Sequence, residues 1–395
     1  MCQYGLTAFG EYGLTNACAT ISKVGNGMGL WPSLPWVRPR RSLEDGLQPK
    51  PARRQKSALT IHDVARYAGV SPMTVSRVIN GEKNVRESTR EAVNAAIRAL
   101  NYQPNPAARS LAGADLVRIG LLYSNPSSAY LSEFLVGGLD QVSRSNIQLV
   151  VEKCDEEAAE AAAARLLNSG VDGIILPPPL CDSPAVLKML AASHTPAVAV
   201  ATGRPPADVS AVRIDDFEAA RQMTRHLAGL GHRRIGFIKG HPNQTASGQR
   251  LEGHLAALSE AGIPADETLV QQGYFTYRSG LEAAERLLAL PEPPTAIFAS
   301  NDDMAAATVA VAHRRGLDVP RDLTVVGFDD SALATTIWPE LTTIRQPIAD
   351  MSRQAVTLLA DEIRSRRSGE RAQHPHALQE FTLIRRQSDG PPKAR

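Results

Sequence analysis

No run in the sequence approaches the roughly 18 to 20 unbroken apolar residues that a membrane span requires. The first residues also lack the basic start, apolar run and small-residue cleavage site of a secretion signal. The expectation is a soluble cytoplasmic chain with no membrane partner. Cysteine is scarce: Cys2, Cys18, Cys154 and Cys181 form no C-x-x-C pair and have no histidine at metal-ligand spacing. That argues against a disulfide framework or a zinc site, fits a reducing compartment, and leaves no metal or cofactor expected. A Walker loop, a G-x-G-x-x-G fingerprint, a nucleophile elbow and an H-E-x-x-H helix are missing as well. The adjacent acids Asp215 with Asp216, Asp302 with Asp303 and Asp329 with Asp330 do not substitute for them, because sequence neighbours rarely converge on one substrate. No enzyme is expected. A net charge of +2 gives no global bias, so any basic surface must be sought locally.

At 395 residues the chain is long enough for a small head and a large two-lobed body. Residues 1–58 mix Gly, Pro and aromatics without period and end in a basic run through Arg38, Arg40, Arg41, Lys50, Arg53, Arg54 and Lys56. Disorder is predicted there, either as a basic arm attracted to phosphates or as an extension from a start taken too far upstream. The texture changes at Leu59. Thr60 with Asp63 makes a capping-box-like start, and Ile61, Val64, Ala65 and Ala68 share one helical face up to Gly69, where a positive φ lets the chain turn. Ser71 caps a second helix with Pro72 at its first position, and Val75, Val78 and Ile79 form its apolar stripe until Asn80 and Gly81. Ser88 with Glu91 reads as a capping box for a third, with Val93, Ala96, Ile97 and Leu100 buried before Asn101 and Pro104. Three short helices with a tight turn between the first two, over residues 59–104, form the helix-turn-helix plan.

Small three-helix domains also dock proteins, so the outward side chains carry the argument. Met73, Thr74, Ser76 and Arg77 lie on or beside the exposed face of the second helix. Arg77 is placed either to pair bidentately with a guanine or to stand as a solvated helix charge. Thr60, Ser71 and Thr74 offer small hydroxyls near helix starts, suited to phosphates.

The run LTIHDVARYAGVSPMTVSRVINGEKNVRESTREAVNAAIRALNYQPNPAARSLAG, residues 59–113, resembles the DNA-binding head of the LacI family of bacterial repressors, and similarity continues to about Arg386. The resemblance implies a homodimer on a palindromic operator, each recognition helix in a major groove, with Pro72, Met73 and Asn80 among the DNA-facing positions. Pro72 and Met73 stand where the lactose repressor has hydrogen-bonding side chains, which shifts base choice toward Arg77 and DNA shape. It further implies a hinge helix near Asn105 to Ala112 that folds on the operator, with Leu111 wedged into the minor groove and Ala108 facing its twofold mate. Read without the family, this short Ala-rich segment, part of a linker over residues 105–116, is barely helical alone; linker and hinge helix are both compatible with it.

Beyond Val117, apolar runs such as VRIGLLY, DGIILPP, PAVAVAT, RIGFIKG, TAIFAS and LTVVGFDD alternate with amphipathic segments, and the pattern restarts after Asp215. Nearly all-apolar strands alternating with helices indicate parallel sheets covered on both faces, here two doubly wound lobes over residues 117–386. The fold expected is an all-α head plus an α/β body that resembles the periplasmic-binding-protein architecture of the family, with crossovers near Asp215, Asp302 and Ile344 to Pro347. Ligands in open α/β sheets sit at the carboxyl ends of strands. Those ends carry Tyr123 to Ser128, Pro177 to Pro179, Ala201 to Arg204, His241 to Gln244, Tyr274 to Tyr277, Asn301 with Asp302, and Asp329 with Asp330. Amides, carboxylates and aromatic plates suit a sugar or sugar derivative.

By resemblance, Arg250, Asp302, Phe275 and Gln346 stand at effector-contact positions, with Thr202 and Asn243 also at the mouth. The alternative reading of Asp302 is a helix N-cap, and that of Phe275 a core aromatic. Ala201 falls where sugar-sensing relatives often place an aspartate. Arg204 nearby either suits a sugar acid or phosphate or is merely solvated. A periplasmic-type sugar-binding protein or a carbohydrate-active enzyme shares the body fold, but the head and the missing secretion signal argue for a regulator. The stretch 387–395 reads as a disordered tail without heptads, which favours a dimer over a tetramer.

Overall fold

The computed structural model describes residues 59–79, 85–100, 102, 116–370 and 373–393. The readings of residues 1–58, of Asn80, and of the hinge with Asn105, Ala108 and Leu111 lie outside them. The chain divides into two compact units after Tyr102.

The head comprises α1 (Ile61–Ala68), α2 (Pro72–Ile79) and α3 (Glu87–Ala99). Asp63 accepts hydrogen bonds from the N–H and hydroxyl of Thr60 (2.9 and 2.8 Å), tying the first turn of α1 to its cap. Gly69 ends α1 at φ 67°. A Cβ there would meet nothing within 4 Å, so backbone conformation and not space demands glycine. Ser71 Oγ accepts the Thr74 N–H at 3.1 Å and starts α2. The third helix begins two residues earlier than its capping pattern suggests. Arg86 is the flanking residue, its carbonyl taking the N–H groups of Thr89 and Arg90, and Ser88 lies inside the first turn instead of capping it. Val64, Ala65, Val75, Val78, Val93, Ala96 and Tyr102 form the core.

The body starts with β1 (Val117–Tyr123), α4 (Ser128–Ser143), β2 (Ile147–Lys153), α5 (Ala159–Asn168), β3 (Gly173–Leu176), α6 (Pro184–Ala192), β4 (Ala197–Val200) and β5 (Ser210–Arg213). The second lobe holds α7 (Asp216–Gly229), β6 (Ile235–Lys239), α8 (Thr245–Glu260), β7 (Val270–Gln272), α9 (Tyr277–Leu288), β8 (Ala296–Ala299), α10 (Asp302–Arg314) and β9 (Thr324–Val326). The chain ends with α11 (Leu333–Thr336), β10 (Thr343–Arg345), α12 (Ile348–Arg367), β11 (His376–Leu378) and β12 (Thr382–Ile384). The first lobe's sheet runs β11-β5-β4-β3-β1-β2 and the second's β7-β6-β8-β9, every pairing parallel. Strands β3, β4 and β8 are buried throughout, as parallel strands sandwiched between helices must be. The strand order reverses between β1 and β3 and again between β6 and β8, and a crevice opens at such switch points.

Two readings need correction. The chain passes between lobes at Ile214–Asp216, at the antiparallel pair β10 and β12, and again between β11 and β12. Asp302 marks no crossover; it opens α10 within the second lobe. The segment after Arg386 is not a loose tail, because Ser388 and Asp389 are buried. Ser388 Oγ donates to the Val325 carbonyl (2.6 Å) and accepts the Thr342 N–H (2.8 Å), while Asp389 stands 2.8 Å from His226 Nε2. A polar composition conceals this because its hydroxyl and carboxylate pair with the backbone and side chains of a sheet edge remote in sequence. Among the described residues no helix is long and apolar enough to cross a membrane, and no group of His, Cys, Asp or Glu is placed to hold a metal ion.

Helix α12 returns to the first lobe and packs on α4 through Met351, Ala355 and Val356. The approach is close at Gly137, where a Cβ would fall 2.1 Å from the Ala349 carbonyl oxygen. Gly137→Ala should therefore force the helices apart and cost about 1 to 3 kcal/mol in urea denaturation. Gly229→Ala, at a helical position with nothing within 4 Å, should cost nothing or stabilise by up to about 1 kcal/mol.

Candidate nucleic-acid face and ligand cavity

On α2 the apolar stripe of Val75 and Val78 turns inward and leaves Met73, 64% exposed, and Arg77 on the solvent side. Thr60 and Ser71 are exposed; Pro72, Thr74 and Ser76 are half-buried on its flanks. The Ser71 and Thr74 hydroxyls lie 2.9 Å apart, so one fixes the other at the start of the helix. Tyr67, exposed on α1, was not singled out by the sequence. This is the face that helix-turn-helix geometry presents to a groove.

In the body, one cavity gathers the carboxyl ends of strands from both lobes: Asn125 after β1, Pro178 after β3, Ala201 after β4, Gln244 after β6, Phe275 after β7, Asn301 after β8 and Asp329 after β9. It encloses about 390 Å³ of unfilled space, mouth included. Arg250, from the second turn of α8, is only 5% exposed. Its Nε donates to Asp216 (2.8 Å), its Nη1 to the Ser300 carbonyl (2.6 Å), and its guanidinium lies 3.6 Å from the centre of the Phe328 ring. Paired, stacked and with donors to spare, it is a fixed cation in the wall. Burial raises the Asp216 carboxyl and Arg250 pulls it back.

Gln346 donates from Nε2 to Asp329 (2.6 Å), while its Oε1 and the Tyr130 hydroxyl are buried with no partner among the described residues. Both side chains line the cavity, so each awaits a hydrogen bond from whatever enters. Phe275 belongs at once to an apolar cluster and to the cavity wall, and thus satisfies both of its readings. Ala201, Phe275 and Asp329 hold φ of 56°, 59° and 115°. Such backbone strain in non-glycine residues concentrates at functional sites, and no sequence pattern announces it.

Arg250, Phe275 and Gln346 converge as expected, whereas Asp302, Thr202 and Asn243 do not line the cavity. Asp302 is fully buried beneath it. Its carboxylate accepts the Ser331 N–H (2.8 Å) and the Thr343 hydroxyl (2.7 Å), because the first residue of α10 points back into the lobe. Nor does it cap the helix; Asn301 does, accepting the Met304 N–H at 3.0 Å. Thr202 is buried against Asp182, to which its hydroxyl donates at 2.6 Å. Asn243 reaches across the cleft to Glu156. Further bridges join the lobes: the Thr245 N–H donates to Asp182 (2.8 Å), Ser127 donates to Asp303 (2.7 Å), and Arg204 pairs with Glu252 (3.0 Å). The sequence missed Tyr130 because an aromatic in an amphipathic helix looks like core.

Burial pushes the Asp302 carboxyl up to about 7, and desolvation also holds Asp329 well above the usual carboxylate range against the pull of Arg250. An acid whose folded value exceeds its unfolded one contributes stability that is complete below the unfolded value and lost as pH rises through the folded one. Unfolding free energy should therefore fall between about pH 4 and 7, with Asp302 contributing on the order of a few kcal/mol. In Asp302→Asn, which keeps an acceptor for Ser331 and a donor for Thr343, that part of the slope should vanish in denaturation curves taken across this range.

Comparison with known proteins agrees with this geometry. Residues 60–105 match the bacterial regulatory proteins of the lacI family, and residues 224–388 match the periplasmic binding protein-like domain. Catabolite control protein A of Priestia megaterium is 35% identical over 304 residues, 76% of this chain and 91% of that protein. The HTH-type transcriptional repressor PurR of Escherichia coli O139:H28 is 34% identical over 337 residues, 84% and 98% of the two chains. Among solved structures, the transcriptional regulator CelR in complex with cellobiose aligns with a TM-score of 0.64 at 34% identity, covering 84% of this chain and all (100%) of that one. A lac repressor dimer bound to operator and the anti-inducer ONPF aligns at 0.67 with 30% identity, covering 84% and 98%. These relatives are transcription regulators and not enzymes. With a helix-turn-helix head, a periplasmic-binding-like body and relatives matched over nearly their whole length, the chain belongs to the LacI family of DNA-binding transcription regulators.

Proposed function

We propose that this regulator acts in the cytoplasm as a homodimer that represses carbohydrate-related genes from a palindromic operator, and that a sugar or sugar derivative between the lobes sets its operator affinity. The observation that carries the effector reading is the wall of the cavity. A fixed guanidinium, the side-chain amides of Asn125, Asn301 and Gln346, the unpartnered Tyr130 hydroxyl and the Phe275 ring meet at the strand ends of both lobes. Hydroxyls suit such donors and acceptors, and the apolar face of a pyranose suits the ring. Cellobiose in CelR supports the same class of ligand.

The outer face of α4 supports the dimer. Val136 and Leu139, 62% and 52% exposed, lie one helical turn apart, and Val151 is exposed on the edge strand β2 of the same lobe. Such a patch suits a twofold copy of itself.

On α2, Arg77 is the side chain with the strongest claim on a base. Arg77→Ala should cost about 1 to 3 kcal/mol of operator affinity and relax specificity at one base pair per half-site, measured by anisotropy on an operator selected from random DNA. A uniform loss over all sequences would reassign Arg77 to the phosphates. A panel of mono- and disaccharides should contain a compound that raises the melting temperature and changes operator affinity, each ligand altering the other's affinity by the same factor. Both responses should disappear in Arg250→Ala. A variant that responds like wild type places the effector elsewhere.

A further inference from the structure

Helix α8 starts without a cap of its own. At α4, α6, α7, α9 and α10 the side chain of the flanking residue, respectively Ser127, Ser183, Asp215, Thr276 and Asn301, accepts a backbone N–H of the first turn. At α8 the flanking residue is Gln244, whose side chain makes no such bond, and the first turn contains no acid. The missing cap comes from the other lobe: Asp182, on the short turn Leu180–Asp182 that follows β3, accepts the Thr245 N–H at 2.8 Å.

The same carboxylate accepts the hydroxyls of Thr245 (2.9 Å) and Thr202 (2.6 Å), and Thr245 Oγ1 accepts in turn the N–H groups of Gly203 (2.8 Å) and Arg204 (3.1 Å). Thr202, Gly203 and Arg204 lie on the loop after β4, so two segments of the first lobe grip one residue of the second. The approach is close. A Cβ on Gly203 would fall 2.8 Å from the Thr245 carbonyl oxygen and from the Ala246 nitrogen, so glycine is what lets the loop sit on the helix end. Asp182, Thr202, Gly203 and Thr245 stand outside the lining of the main cavity, but their sequence neighbours Ala201, Gln244 and Ala246 belong to it. The clasp therefore flanks the cavity wall and occupies none of the space a ligand needs. The Ser127–Asp303 bridge differs in this respect, because Ser127 is itself part of the lining. Parting the lobes would strip α8 of its cap, which ties the order of that helix end to closure.

We infer that Asp182 is a positioning residue for lobe closure: by capping α8 from across the cleft it holds the two walls of the cavity in register, and it sets operator affinity without touching the effector. Thr202 serves the same clasp, which is why it faces Asp182 and not the cavity. An effector acts on a lobe equilibrium that this contact has already biased, so the clasp sets the fraction of molecules whose two walls are ready for it. The part concerning DNA rests on the proposed link between lobe arrangement and operator affinity; the clasp itself does not.

The test uses the full chain and hydrogen exchange read by mass spectrometry, with no sugar added. In Asp182→Ala, exchange should quicken about threefold or more in peptides covering Ser127 and Asp303, a bridge that shares no residue with the clasp. Gly203→Ala, which wedges the loop off α8 but keeps the carboxylate, should do the same. Asp182→Asn, which keeps an oxygen for the Thr245 N–H, should recover most of the wild-type protection. A rise confined to Thr202 and the first turn of α8 makes Asp182 a local cap only and overturns the inference. An equal rise in the buried strand β8 reports general unfolding and overturns it as well. A second arm measures operator affinity by anisotropy. Asp182→Ala and Gly203→Ala should change it in the same direction by about threefold or more, and Asp182→Asn much less. If exchange spreads across the cleft while operator affinity keeps its wild-type value, the clasp stands and its control of DNA binding is rejected. A saccharide panel without any active compound rejects the sugar reading of the main cavity and leaves both arms readable.

Discussion

Burying a positive charge is among the most expensive acts in folding, and the body is organised around the one at Arg250. Its guanidinium needs a carboxylate, a carbonyl and an aromatic face, and these come from Asp216 at the start of α7, Ser300 after β8 and Phe328 after β9. Three separate strand-to-helix or strand-to-loop junctions must be in register for that cation to be tolerated. The same requirement fixes the floor of the cavity, because Asp329 follows Phe328 and is tied in turn to Gln346. A ligand meeting this wall meets donors that are already oriented, so little ordering cost remains at binding.

The head was legible in the sequence because its signals are local: Thr60 with Asp63, Gly69 and Ser71 with Pro72 each act within four residues. The third helix shows the limit, since Ser88 has the composition of a cap but Arg86 occupies the position. In the body, apolar runs named the strands β1, β3, β4, β6, β8 and β9 correctly. The short strand β5 and the pairing of β11 beside it depend on neighbours far away in the chain, and no periodicity encodes them. Arg250, Phe275 and Gln346 were found by family resemblance. Asp302 failed because Ser300, Asn301 and Asp302 are all polar, and only the phase at which α10 begins decides which of them faces the cavity. Tyr130 and the strained backbone at Ala201 and Asp329 left no readable trace.

The bridges across the cleft give the two lobes a second set of interactions besides the crossovers. Asp182 to Thr245, Ser127 to Asp303 and Asn243 to Glu156 all join side chains or helix ends that would separate if the lobes swung apart. A ligand therefore competes with, or adds to, contacts the protein already makes with itself. A ligand that bound one lobe arrangement better than another would shift the balance by that difference in affinity.

The path of the chain has a consequence for how the molecule is made. The second lobe is nearly continuous, from Asp216 to Val326, and its sheet can close as soon as that stretch leaves the ribosome. The first lobe, although it begins earlier, lacks α12 and the edge strand β11 until His376 and its neighbours have been synthesised. During translation the amino-terminal lobe therefore waits, with the apolar surface destined for α12 uncovered, while the later one folds. Until α12 emerges, that uncovered surface is one through which a nascent chain can aggregate.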